Sequence, residues 1–204
     1  ESAVHCSPVL VSHNGLDMVI AVMSDSIAAV EAKTGKIIWK VAHSSYQPAG
    51  KDARARANSP IYHEGKIFVC SGYDSGAVML QLSEDGRKAE VVGKLAEFDP
   101  HFGGAVKLGD YVYGSNTERP NKIVCMNWND CKFSYTYDWG GNKAAVIAAE
   151  GMLYFYGEQN GTIALVKADP KAFNIVSQFK VPQGSGEHWA HPAISNGRLY
   201  VHHG

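Results

Sequence analysis

Along this chain apolar residues either alternate with polar ones or stand in short runs, and glycine turns cut both kinds of segment. A period of two marks a half-buried strand, and a short apolar run marks a strand covered on both faces; no apolar stripe follows the helical period of about 3.6. "VLVS" predicts a first strand, and Asn14-Gly15 a hairpin turn, because glycine tolerates positive φ. "MVIAVM" predicts a second strand, "IAAVEA" a third and "KIIWKV" a fourth, the last two joined at Lys33-Thr34-Gly35. The same order returns further on as "AVIAA", "MLYFYG", the turn "QNGT", "IALVKA" and "IVSQFKV".

Five segments share this grammar: "SPVLVSHNGLDMVIAVM", "SPIYHEGKIFVCSG", "GAVKLGDYVYGSN", "AVIAAEGMLYFYGE" and "HPAISNGRLYVHHG". Their turn glycines are Gly15, Gly65, Gly109, Gly151 and Gly197, spaced by 50, 44, 42 and 46 residues. A period in the forties with only strands inside it is the mark of propeller blades. The expected fold is therefore all-β, a β-propeller of four-stranded antiparallel blades. Blades are expected over residues 1–43, 44–98, 99–139 and 140–182, with an incomplete one over 183–204, about four and a half in all. Pro60 and Pro192 open first strands, where a missing N–H is tolerated.

One stretch, "AVEAKTGKIIWK", carries a finer pattern: Ala29-x-Glu31-x-x-Thr34-Gly35-x-x-x-Trp39. The Thr-Gly turn reverses the chain between third and fourth strands, and Trp39 then lies on the outer strand. Propellers are held by flat apolar faces stacked blade against blade, and a large ring with a polar N–H suits such a junction. Glu31, Thr34, Gly35 and Trp39 are thus expected to dock blades, not to catalyse.

This grammar resembles the pyrroloquinoline-quinone-like (PQQ-like) β-propeller repeat family, whose blades carry an Ala-x-Asp-x-x-Thr-Gly-x-x-x-Trp docking motif. Residues 29–39 match it with Glu31 in place of Asp. Elsewhere the motif is degraded: "VCMNWNDCKFSY" keeps a short turn, "LQLSEDGRKAEVV" keeps Asp85-Gly86 without the ring, and "LVKADPKAFNIV" keeps Asp169 and offers Phe173 or Phe179. Propellers of this family have seven or eight blades, so the resemblance implies the C-terminal part of a larger propeller. Its exposed strand edges would be open to self-association or covered by another copy.

The family holds two functional kinds. Quinoprotein dehydrogenases bind PQQ and calcium in the central funnel, and carry an adjacent Cys-Cys disulfide and a set of Glu, Asn and Asp calcium ligands. Binding or scaffold propellers share the blades and hold no cofactor. This sequence has no Cys-Cys pair and no cluster of acidic residues in the loops before first strands. Fold alone does not transfer activity. The expectation is a non-enzymatic ligand-binding or protein-interaction scaffold without cofactor, and a PQQ-dependent dehydrogenase with calcium is the alternative. The resemblance also implies a periplasmic or cell-surface protein of bacteria.

Charge and composition narrow the partners. A net charge of −1 in 204 residues gives no concentrated basic surface for a phosphate backbone, so nucleic acid is not an expected partner. The longest apolar runs are too short for a membrane-spanning helix. The first residues, "ESAVHC", have neither a basic start nor an apolar stretch of the kind an export signal needs, which fits a cytosolic protein or one whose targeting segment has been removed. Cys125 and Cys131 flank "MNWND" and could face each other across a hairpin, bridged or, the reading preferred here, as two small hydrophobes. Cys6 and Cys70 lie in different repeats and read as thiols.

Other chemistry is thin. There is no phosphate-binding glycine loop of the Walker type and no G-x-S-x-G elbow, and "GSGEHW" lacks the third glycine and the helix of a dinucleotide motif. Asn160 in "NGT" fits a glycosylation sequon but sits where a hairpin turn is required. His188 and His191 are three apart on extended chain, a spacing that does not set two imidazoles side by side, and no metal is assigned.

The loops before the first strands hold the candidate site. Aligning the repeats on Pro8, Pro60, Ala105, Val146 and Pro192 brings to equivalent places His5, Arg56 with Asn58, His101 with Phe102, Asn142 with Lys143, and His188 with Trp189 and His191. Loops on a rigid scaffold collect function. This set is rich in imidazole, guanidinium, amide and aromatic groups and nearly free of carboxylates. It predicts a funnel face for an anionic or sugar-like ligand, or for an acidic loop of a partner protein.

Overall fold

The computed structural model describes residues 4–42, 57–73, 75–116, 122–140, 142–182 and 184–203. Its elements are all strands, arranged as four four-stranded antiparallel sheets and one two-stranded pair. Sheet 1 runs β1 (Val9–His13), β2 (Leu16–Val22), β3 (Ser26–Glu31) and β4 (Ile37–Ala42), in chain order across the sheet. Sheet 2 is β5 (Ile61–His63), β6 (Lys66–Cys70), β7 (Ala77–Leu82) and β8 (Ala89–Leu95). Sheet 3 is β9 (Ala105–Leu108), β10 (Tyr111–Ser115), β11 (Ile123–Asn127) and β12 (Phe133–Tyr137). Sheet 4 is β13 (Ala144–Ala149), β14 (Met152–Gly157), β15 (Thr162–Lys167) and β16 (Asn174–Lys180), and β17 (Ala193–Ser195) pairs with β18 (Arg198–Tyr200). The order of strands and the hairpin turns agree with the sequence pattern.

The turn chemistry explains the tight first hairpins. Asn14-Gly15, Glu64-Gly65, Glu150-Gly151 and Asn196-Gly197 each place two successive residues at positive φ, the requirement of a type I′ turn, whose twist matches that of the strands it joins. At the third repeat Gly109 alone is left-handed, and it precedes Asp110. The third and fourth strands of each four-stranded sheet share a device the sequence does not advertise. Their pairing slips by one residue, at Ala29/Val30, Met79/Leu80, Cys125/Met126 and Leu165/Val166. Such bulges increase local twist.

The chain divides into two compact units, Glu1–His101 and Phe102–Gly204. In unit 1 the core joins Met18, Ile20, Ile27 and Trp39 of sheet 1 to Ile67, Val69, Val78 and Leu80 of sheet 2. In unit 2 it joins Tyr113, Ile123 and Cys125 of sheet 3 to Val146, Leu153, Phe155, Val166 and Phe173 of sheet 4 and its outer turn. Each fully buried large side chain contributes about 1.5–3 kcal/mol. Middle strands such as β7, buried at five of six positions, read as continuous apolar runs because they are covered on both faces. Outer strand β16 is exposed along its whole length, including Val176 and Phe179.

Among the described residues no helix is long and apolar enough to cross a membrane. Cys125 and Cys131 are not joined in a disulfide. Cys125 is buried, and hydrogen bonds tie its thiol to Tyr113 and Ser134. Cys131 occupies a left-handed turn position.

Candidate functional site

The docking stretch of sheet 1 is built from its turn upward. Gly35, at φ 72°, returns its N–H to the Glu31 carbonyl at 2.9 Å, while the Thr34 hydroxyl donates to the Glu31 carboxylate. The closed turn aims Trp39 inward, 8% exposed, and its indole N–H donates to the Gly86 carbonyl at 3.1 Å in the β7–β8 turn. Arg87, beside Gly86, lies 3.7 Å from the other Glu31 oxygen. The ring thus crosses from one sheet to the next. The role passes to different residues in unit 2. Phe173 is buried and stacks on Tyr137 at 4.8 Å, whereas Phe179 is exposed; Trp128, in the outer turn of sheet 3, is buried under Lys107.

Unit 2 gathers its loops on one segment, Tyr156–Gly161, at the end of β14. The cause is antiparallel register: Ala144, the first residue of β13, faces Gly157, the last of β14, so the loop entering β13 and the turn leaving β14 share one end of the sheet. Asn142 is 2% exposed; its amide donates to Asn160 Oδ1 at 3.2 Å and accepts from the Gln159 N–H at 3.1 Å. Gly157 makes this seat, because a Cβ there would collide with the Asn142 side chain. The Glu158 N–H then bonds to the Lys143 carbonyl at 2.8 Å.

Glu158 is the hub. Its Oε1 accepts the Trp189 indole N–H at 2.7 Å, and its Oε2 lies 3.8 Å from Lys143 Nζ. Trp189 is held by its edge while its ring remains 56% exposed. Next to it, His188 Nδ1 meets the Tyr156 hydroxyl at 2.6 Å, with the two rings edge to face. Burial first, then His203, lowers the His188 pKa below the ordinary imidazole value, and burial raises that of the Tyr156 phenol. His191 Nε2 donates to the Phe102 carbonyl at 2.7 Å.

In unit 1 the candidates do different work. Asn58 is buried and donates to the Pro100 carbonyl at 2.5 Å and to that of Cys70 at 3.5 Å, so it staples two loops. His101 packs its ring on Tyr73 at 4.2 Å. His5 is exposed, and Arg56 lies outside the described residues. Of the sequence candidates, Asn142, Lys143, His188 and Trp189 meet at the Tyr156–Gly161 segment, and His191 pairs with Phe102. Glu158 and Tyr156 were not among them. Tyr156 lies near the end of the second strand β14 and Glu158 follows it, whereas only loops preceding first strands were aligned. Glu158 supplies a carboxylate beside Trp189 and Lys143.

A shallow open depression in unit 1 is lined by Asn14, Ser83, Glu84, Asp85 and Lys88. Its groups are spent on each other: Asn14 donates to the Glu84 carbonyl, and the Ser83 hydroxyl and Arg87 N–H both donate to Asp85. Those bonds hold the Asp85 carboxyl below its ordinary pKa.

No protein-family model matches the sequence, and no curated protein matches it. Solved structures do match. The quinohemoprotein alcohol dehydrogenase from Comamonas testosteroni matches over 98% of this chain and 39% of its own, at 12% identity and a TM-score of 0.65. The chain shares the blade fold of the PQQ-type β-propellers. BamB from Moraxella catarrhalis matches over 95% of this chain and 66% of its own, at 14% identity and a TM-score of 0.51. A europium-containing methanol dehydrogenase matches over 87% and 42%, at 11% identity and a TM-score of 0.60. The chain therefore spans 39–66% of the length of these PQQ-type structures, and at such identities the likeness is one of fold.

A calcium-dependent quinone site would need about six to eight oxygen ligands around the ion. Among the described residues no three His, Cys, Asp or Glu side chains form a metal-ligand group, and Glu158 is committed to Trp189 and Lys143.

Proposed function

We propose that this chain is a non-enzymatic, PQQ-like β-propeller segment, its five repeats serving as blades, that binds a neutral sugar-like ligand on the open face of Trp189. The observation that carries this reading is the Trp189–Glu158–Lys143 constellation. An indole held by its N–H and left with its face open offers an apolar platform for the C–H face of a sugar ring. A carboxylate and an ammonium beside it offer an acceptor and donors for hydroxyls. Because Glu158 offsets the charge of Lys143, the place favours a hydroxylated neutral ligand over an anion. The reading includes an exported location in bacteria, taken from likeness to PQQ-type propellers and checked by fractionating cells that make the native protein.

The test is a thermal-shift screen against neutral oligosaccharides, with Trp189→Ala in parallel. A ligand that binds the folded state raises the melting temperature by mass action. The reading expects at least one neutral oligosaccharide to stabilise the wild type and not Trp189→Ala. Stabilisation by an acidic peptide alone would support a protein-interaction scaffold in its place. The dehydrogenase alternative rests on the fold match to two dehydrogenases. Tight stoichiometric uptake of PQQ with calcium would establish it and overturn the non-enzymatic reading.

A further inference from the structure

We propose that His188 and His203 form a two-histidine site for a divalent transition-metal ion of the nickel, copper and zinc group. His191, three residues on in the sequence, is turned to the Phe102 carbonyl. The neighbour of His188 is His203, just beyond β18: the ring centroids are 4.7 Å apart and the planes tilt by 38°. With metal–nitrogen bonds of about 2.0–2.1 Å and about 1.1 Å from nitrogen to ring centre, each centroid stands about 3.2 Å from a shared ion. Centroids 4.7 Å apart then subtend about 95° at the ion, between the square-planar and tetrahedral angles.

Two further features suit a ligand pair. His188 is oriented through Nδ1 by the Tyr156 hydroxyl at 2.6 Å. When the Nδ1 proton is donated to the phenol oxygen, the Nε2 lone pair is presented, which is the way an outer hydrogen bond fixes the tautomer of a metal-binding imidazole. The second feature is space. A Cβ on Gly161 would stand 2.9 Å from His188 Nε2, and one on Gly184 would overlap the His203 ring at Cε1 and Nε2. Both rings are seated against glycine, so each keeps its place only because no Cβ stands there. Among the described residues no third protein ligand joins them, so water completes the coordination. Imidazole nitrogen selects borderline metals over magnesium and calcium, with copper binding more tightly than nickel. This site does not depend on the sugar-binding reading, since neither Glu158 nor the Trp189 ring takes part.

The test is a calorimetric titration of the tag-free chain with Ni²⁺ and Zn²⁺, with Ca²⁺ and Mg²⁺ as hard-ion comparators. The proposal expects saturable one-to-one binding of Ni²⁺ and Zn²⁺ and none of the hard ions. His188→Gln and His203→Gln should each abolish it, and His202→Ala, at the exposed neighbour of His203, should leave it intact. Tyr156→Phe should weaken it about tenfold through loss of the orienting bond. A second readout needs no variant: Zn²⁺ should protect His188 and His203 together from diethyl pyrocarbonate in the wild type. Absence of saturable binding, binding that survives both His→Gln changes, or protection of His202 in place of the pair would each overturn the proposal.

Discussion

Trp39 and Trp189 make the same hydrogen bond and do opposite things. Each donates its indole N–H to one oxygen, Trp39 to the Gly86 carbonyl at 3.1 Å and Trp189 to a Glu158 carboxylate oxygen at 2.7 Å. Trp39 is 8% exposed and closes sheet 1 onto sheet 2; Trp189 is 56% exposed. A ring whose edge and faces are both used is structural. A ring fixed by its edge, with its face left in water, has been oriented at some cost in side-chain entropy without the gain of burial. That difference separates the assembly of the blades from the place proposed for a ligand.

The widest separation of the two rings comes from truncating them. Trp39→Ala should cost about 3–5 kcal/mol, by removing the ring from a packed core and leaving a cavity. Chemical denaturation would show this as a large fall in midpoint. Asn142→Ala should cost about 1–3 kcal/mol, because the Gln159 N–H would lose a buried acceptor. It should also loosen the turn that carries Glu158, so both stability and ligand affinity should fall. Trp189→Ala should change stability by no more than about 0.5 kcal/mol. In a ligand titration, however, it should raise Kd at least about tenfold, or about 1.4 kcal/mol. If Trp189→Ala destabilises as much as Trp39→Ala, the two rings do the same work.

The smallest effect at neutral pH comes from the thiols. Burial, and then the Asp99 carboxylate, push the Cys70 thiol up from 9.0 to about 12. Burial pushes Cys125 up from 9.0 to about 11, against the lowering effect of its bonds with Tyr113 and Ser134. Because the folded-state values lie above the ordinary one, the contribution of the neutral thiols is fully present below pH 9.0. It is lost as pH rises through the folded values of about 11 and 12. Native protein at pH 8 should therefore react with a thiol reagent at Cys70 and Cys125 only as fast as the two units open. Rapid labelling at both, with the fold intact, would contradict their burial.

The blades were legible because the alternation and the Asn-Gly and Glu-Gly turns are local properties of the chain. Each hairpin could be drawn from about twelve residues, and the strand order followed. The bulges between third and fourth strands were not legible, since a one-residue slip depends on the partner strand and leaves no residue signature at Ala29 or Met79. The ring of sheet 4 was half legible: Phe173 and Phe179 were both offered, and only packing against Tyr137 and Phe155 separates them. The site was read from one side. Asn142, Lys143, His188 and Trp189 stood out as loop residues, but their hub, Glu158, follows β14. The antiparallel rule that places the end of a second strand beside the start of the first would have found it. The pairing of His188 with His203 needed coordinates, because fourteen residues and a hairpin lie between them.

The central claim is that the Trp189 face receives a ligand and the Trp39 face does not. The chain has four tryptophans, so a proton–nitrogen correlation spectrum holds four indole N–H signals, which single Trp→Phe variants assign. On titration with a stabilising oligosaccharide, the account predicts that the Trp189 signal moves to saturation, with the Glu158→Gln variant abolishing the movement, while the Trp39 signal stays in place. A Trp189 signal that does not move, or a Trp39 signal that moves as far, would contradict it.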